Sequence, residues 1–79
     1  MDINTAITEL INKEKDKLGI PVTALANNTG IPYATLNRKT NGGGSPWTAT
    51  EIARIAKALR VPSKSLFPSE FFENQAVAA

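Results

Sequence analysis

The chain contains no cysteine and no histidine. That excludes disulfides, thiolate nucleophiles and the common zinc sites together. It also removes the usual general base. No apolar run approaches the ~18 residues of a membrane-spanning helix. The N-terminal MDINTAITELINKEKDK carries its charges after its apolar residues, the reverse of a secretory signal, which points to a cytoplasmic protein. Acidic residues are missing from one long stretch. Between Leu18 and Thr50 there is no Asp or Glu, and the only charges are Arg38 and Lys39. The net charge of +2 therefore understates the positive potential over the middle of the chain. No strand pattern appears, and no glycine motif lies between a strand and a helix to cradle a phosphate. The expectation is no enzyme, no cofactor, no metal and no small-molecule ligand.

What is present reads as all-α. A length of 79 residues points to one domain, and a hydrophobic content of 42% suffices for a folded core. The first helix is expected over 4–17, with Ile3, Ile7, Leu10, Ile11 and Leu18 as one apolar stripe and Gly19 as its stop. The run 13–17, KEKDK, reads as a solvated face, with one lysine reaching a phosphate as the sharper reading. Gly19-Ile20-Pro21 and Gly30-Ile31-Pro32 then open two further helices, each with Leu four residues after its proline. Proline is pre-set for a first helical position. The segment Asn41–Pro46, with three consecutive glycines, is a loop. Thr48-Ala49-Thr50-Glu51 is a capping box, and Trp47 with Ile52 is the matching hydrophobic staple. Ile52, Ile55, Ala56 and Leu59 form the inner face of that fourth helix, which Val61-Pro62 stops. A short fifth helix covers 63–67. Residues 1–68 form the domain, and 69–79 a tail expected to be partly flexible or dimerising.

The pair of helices within Val22–Gly42 has the shape of a helix-turn-helix. With Leu25-Ala26, Gly30, Ile31, Leu36 and Asn41-Gly42 in place, Gly19–Phe67 resembles the phage repressors of the lambda repressor/Cro type, the xenobiotic-response-element family. TEIARIAKALRVPSKSLF, residues 50–67, is similar to the closing helices of those domains. The resemblance implies a compact four- to five-helix domain in which Ala26 and Gly30 build the turn. The chain departs from the family at Pro32, where Ser or Thr is frequent, and at Lys39, where an apolar residue is usual. Lys39 there implies a helix that frays early, or a lysine lying along the surface with its stem buried.

The resemblance implies a sequence-specific transcriptional regulator, a phage or prophage repressor or Cro-like protein in the cytoplasm of a bacterial host, associated with the nucleoid. It would read a double-stranded operator through the major groove with helix 32–40. Carried over by position, Tyr33, Ala34, Asn37 and Arg38 face bases. Arg38 suits guanine, Asn37 adenine and Ala34 a thymine methyl. The plainer readings are Arg38 as a phosphate clamp, Asn37 as an exposed helix residue and Tyr33 as core filler. Thr23, Lys39, Thr40 and Asn41 are the expected phosphate contacts. Trp47 as a stacking residue is a lesser reading beside the staple. A homodimer is expected, with residues 66–72 as its surface; packing of Phe67, Phe71 and Phe72 inside the domain is the alternative. The rival function is a helix-turn-helix protein-interaction module of the antitoxin or antirepressor-partner type.

Overall fold

The computed structural model describes residues 2–68, which form four α-helices and one 3-10 turn, with no strand among the described residues. Helix α1 spans Ile3–Lys17 and starts on Asp2, whose carboxylate accepts the Thr5 N–H at 2.7 Å. It ends through Gly19 at φ 68°. Helix α2 is Val22–Thr29, α3 Tyr33–Thr40 and α4 Ala49–Leu59. The expected fifth helix is a 3-10 turn, Ser63–Leu66, too short to close α-helical bonds.

Two expectations about the helix starts and the α1 stripe are corrected. Pro21 and Pro32 occupy the N-cap, one place earlier than the first helical position, with extended ψ of 160° and 137°. Each contributes its carbonyl instead, accepting the N–H of Leu25 at 3.1 Å and of Leu36 at 3.0 Å. Ile3 and Leu18, counted in the apolar stripe of α1, are 45% and 51% exposed. A helix of this length runs about 22 Å at 1.5 Å per residue, and its two ends overhang the core that its middle turns cover.

The core is built from Ile7 and Ile11 of α1, Leu25 and Ala26 of α2, Ile31, Leu36, Trp47, the α4 face Ile52, Ile55, Ala56 and Leu59, and Leu66. Helix α2 packs against α3 and α4, while α1 covers α3, α4 and the 3-10 turn. The staple pair Trp47 and Ile52 lies in this core, and the capping box is closed in both directions. Trp47 is also fastened to α1. Its backbone N–H donates to Asn4 Oδ1 at 2.8 Å, and its indole N–H donates to Thr8 Oγ1 at 2.8 Å.

The turn of the helix-turn-helix has Gly30 at φ 76°, with its N–H on the Ala26 carbonyl at 2.9 Å. Thr29 pins it. Its buried hydroxyl donates to the Leu25 carbonyl at 2.8 Å and accepts the Ile31 N–H at 3.2 Å. The expected dimer surface 66–72 is corrected in part. Leu66 is fully buried and so is not presented to a second copy, while Phe67 is half-buried against the core. Residues 69–72 and the tail 69–79 lie outside the described residues.

Replacing Thr29 by the near-isosteric Val removes the one acceptor found for the buried Ile31 N–H among the described residues. A loss of about 1–3 kcal/mol is expected for such an orphaned group. Urea unfolding of Thr29→Val measures it; an unchanged midpoint would show that the hydroxyl does not hold the turn.

Candidate nucleic-acid interface

The four helices start in two different ways. Those of the scaffold, α1 and α4, are capped by side chains, Asp2 and the Thr48–Glu51 box. The helix-turn-helix pair starts on prolines with no side-chain cap and no acidic residue in the first turn. Their first N–H groups keep the partial positive charge of a helix start with no carboxylate to answer it.

On this pair, Tyr33 (50% exposed), Ala34 and Arg38 are exposed, and Asn37 is half-buried. Tyr33 as core filler is thereby set aside. Thr23 is exposed too, and shares with Tyr33 a shallow hollow of about 450 Å³ between the two helices. Asn41 is exposed, and its amide donates to the Asn37 carbonyl at 2.8 Å, closing the end of α3. Ala26 is buried where α2 meets α3, and Gly30 takes the left-handed turn, as their structural roles require.

Two expected phosphate contacts point the other way. Thr40 is buried; its hydroxyl donates to the Asn37 carbonyl at 3.1 Å, and its own carbonyl accepts Asn12 Nδ2 of α1 at 2.8 Å. Lys39 is only 6% exposed. Its ammonium donates to Glu51 Oε1 at 2.6 Å and to the Pro46 carbonyl at 3.3 Å, and stands 5.4 Å from the centre of the Trp47 ring. Its charge is spent inside the domain. The helix therefore does not fray at Lys39; the stem fills the apolar position and the ammonium finds a carboxylate. Burial raises the Glu51 pKa, but the Lys39 hydrogen bond, the Thr48 N–H bond and the lysine charge together outweigh it and hold the carboxyl below its ordinary range. With Lys39 so engaged, Arg38 is the one cation of residues 18–50 left to face a ligand.

Some residues of this surface are not singled out by sequence reasoning. Asn27 shares the hollow with Thr23 and Tyr33, and its spacing of four from Thr23 on α2 was the available signal. Asn12 holds the last turn of α3 across 28 residues of sequence, and nothing local announces it. Arg54, Lys57 and Arg60 border a second hollow with Asn28 and Thr29, away from α3, and none has an ion pair among the described residues. Arg60 takes φ 60° at the end of α4, the left-handed place that glycine usually fills.

Residues 2–79 match the BetR domain, and the chain belongs to that family. It is a family of small helix-turn-helix-like DNA-binding domains. No curated protein matches the sequence. Among solved structures, the chain is similar to apo-HppE at a TM-score of 0.73 and 28% identity, over 85% of this chain and 37% of that one. Cobalt(II) HppE with Tris buffer gives 0.74 and 28% over 86% and 38%. Iron(II) HppE gives 0.74 and 28% over 85% and 35%. The chain thus spans little more than a third of the length of these HppE chains. No helix of the described residues is long and apolar enough to cross a membrane, and none of their acidic residues cluster as metal ligands would.

The depressed Glu51 carboxyl makes a prediction about acid. A carboxylate whose pKa is lowered on folding stabilises the fold above its unfolded pKa, and that contribution is lost as pH falls through the folded value. Stability should therefore fall as pH drops below about 4.5, the ordinary value for this group. Asp2, lowered chiefly by the Thr5 N–H bond, adds to the same loss. In Glu51→Gln the acid loss should be shallower, because Gln has no carboxyl to protonate, while it still completes the capping box. Thermal melts across pH 2.5–7 (a range of about the carboxylate titration) decide it; parallel profiles for the two proteins would contradict the assignment.

Proposed function

We propose that this BetR-domain chain is a sequence-specific transcriptional regulator of the phage or prophage repressor or Cro-like kind. It reads a double-stranded operator by laying α3 in the major groove. The observation that carries the reading is the surface of the helix-turn-helix. Tyr33, Ala34, Asn37 and Arg38 meet solvent on a helix pair whose starts have no side-chain cap and whose stretch of sequence, from Leu18 to Thr50, contains no acidic residue. In this docking the second helix lies in the major groove and its outward side chains meet base edges. Arg38 is the candidate for bidentate contact with guanine and Asn37 for adenine. Phosphate contacts fall to Thr23, to Asn41 and to the backbone N–H groups at the start of α2. Lys39 and Thr40 are not among them, because their polar atoms are turned inward. A two-fold dimer on paired half-sites would give the affinity that one small headpiece lacks.

The second reading is a protein-interaction module, since this fold does not by itself prove DNA binding. HppE, solved with metal and with substrate, contains this fold over about a third of a longer chain. A salt titration separates the two readings. Binding through phosphates weakens steeply as salt rises, whereas an apolar partner interface barely responds.

The direct test is selection of duplexes from random DNA followed by substitution. Arg38→Ala should cost roughly 1–3 kcal/mol and relax the preference at one base pair. If Arg38→Ala and Asn37→Ala keep both affinity and preference, α3 is not the reading helix.

A further inference from the structure

The loop after α3 contains Gly42, Gly43 and Gly44, and they are not glycines for the same reason. Gly42 and Gly44 have φ of 89° and 74°, where any side chain is strained. Gly43 has no positive φ, so the left-handed region does not demand glycine there. What stands in the way is Arg38. A Cβ at Gly43 would lie 3.2 Å from Arg38 Cγ and 3.5 Å from the Arg38 carbonyl oxygen. At Gly44 it would lie 3.2 Å from Arg38 Cδ and 3.5 Å from Lys39 Cγ. The Gly43 N–H donates to the same Arg38 carbonyl at 2.9 Å, which pins the loop to the residue it borders.

We infer that Gly43 and Gly44 form a bare backbone track along which the methylene stem of Arg38 lies, and that Gly43 is a positioning residue for base recognition. The inference rests on the base-reading role of Arg38. A long arginine on an exposed helix face loses rotamer freedom when it binds. A track that holds Cγ and Cδ leaves the guanidinium aimed in fewer directions before DNA arrives. Lys39, the next residue, has its own stem beside Gly44 and its ammonium on Glu51, so the track is anchored to α4. The ion pair fixes the loop, the loop fixes the arginine stem, and the stem aims the one free cation of this stretch.

Gly43→Ala and the bulkier Gly43→Leu test this in the full chain, on the duplex chosen by wild-type selection. Both should melt close to wild type, because no positive φ at Gly43 demands glycine. Discrimination at the base pair that Arg38→Ala relaxes should fall in graded fashion, reaching about fivefold or more in Gly43→Leu, at the lower end of what one bidentate contact supplies. In an Arg38→Ala background, neither change at Gly43 should have any further effect. Wild-type discrimination in Gly43→Leu would overturn the inference, and so would a loss that persists without Arg38. If Arg38→Ala itself leaves the preference intact, the reading of α3 fails and takes this role of Gly43 with it. A nuclear Overhauser contact between the Arg38 γ-protons and the Gly43 α-protons is the independent readout; its absence contradicts the track however the binding data fall.

Discussion

One carboxylate holds two helices in register. Glu51 Oε1 accepts the Thr48 N–H at 2.9 Å, closing the start of α4, and the Lys39 ammonium at 2.6 Å, fastening the end of α3. The rest of the DNA-facing surface depends on this sharing. Helix α3 has only eight residues, too few to be stable alone. Its apolar anchor, Leu36, fixes one turn to the core. Its last turn is fixed by Lys39 on Glu51 and by the Thr40 carbonyl on Asn12. A buried ion pair is weak evidence for net stability, because desolvation offsets much of the attraction. It is better evidence for orientation, since a lysine ammonium with a carboxylate, a carbonyl and an indole face around it has one place to be.

The domain divides into a part that is held and a part that is left open. Capped starts, the staple and the Trp47 bonds to Asn4 and Thr8 belong to α1 and α4. Proline starts without side-chain caps belong to α2 and α3. A free monomer leaves those first-turn N–H groups to water, which is tolerable at a surface that an anion can later cover. The likeness to part of the HppE chains shows that this fold is also found within a longer protein. It does not carry that protein's metal or substrate to this chain.

How much of this was legible depended on range. The capping box, the staple, Gly30 and the inner face of α4 are local patterns within a few residues, and the structure has them where the sequence puts them. The two prolines were legible as helix starts but not to the residue, because N-cap and first-turn proline differ by one position. By position in the sequence Lys39 reads as a phosphate contact, yet a lysine in place of an apolar residue also signals a buried stem. The missing fact was its partner, Glu51, twelve residues on in another helix. Leu18 failed for a related reason: periodicity identifies a face but not where the core beneath it stops. The second glycine reason, room for Arg38 at Gly43, was invisible, since glycine runs look alike whether backbone or neighbour demands them.

The central claim is that the face carrying Tyr33, Ala34, Asn37 and Arg38, flanked by Thr23 and the glycine loop, is where DNA sits. Backbone amide shifts followed by NMR during titration with a selected duplex test it most directly. The account predicts that the largest changes fall on residues 22–24, 33–38 and 41–44, with α1 and the outer face of α4 nearly silent. Changes centred instead on Arg54, Lys57 and Arg60, with 33–38 unmoved, would contradict it.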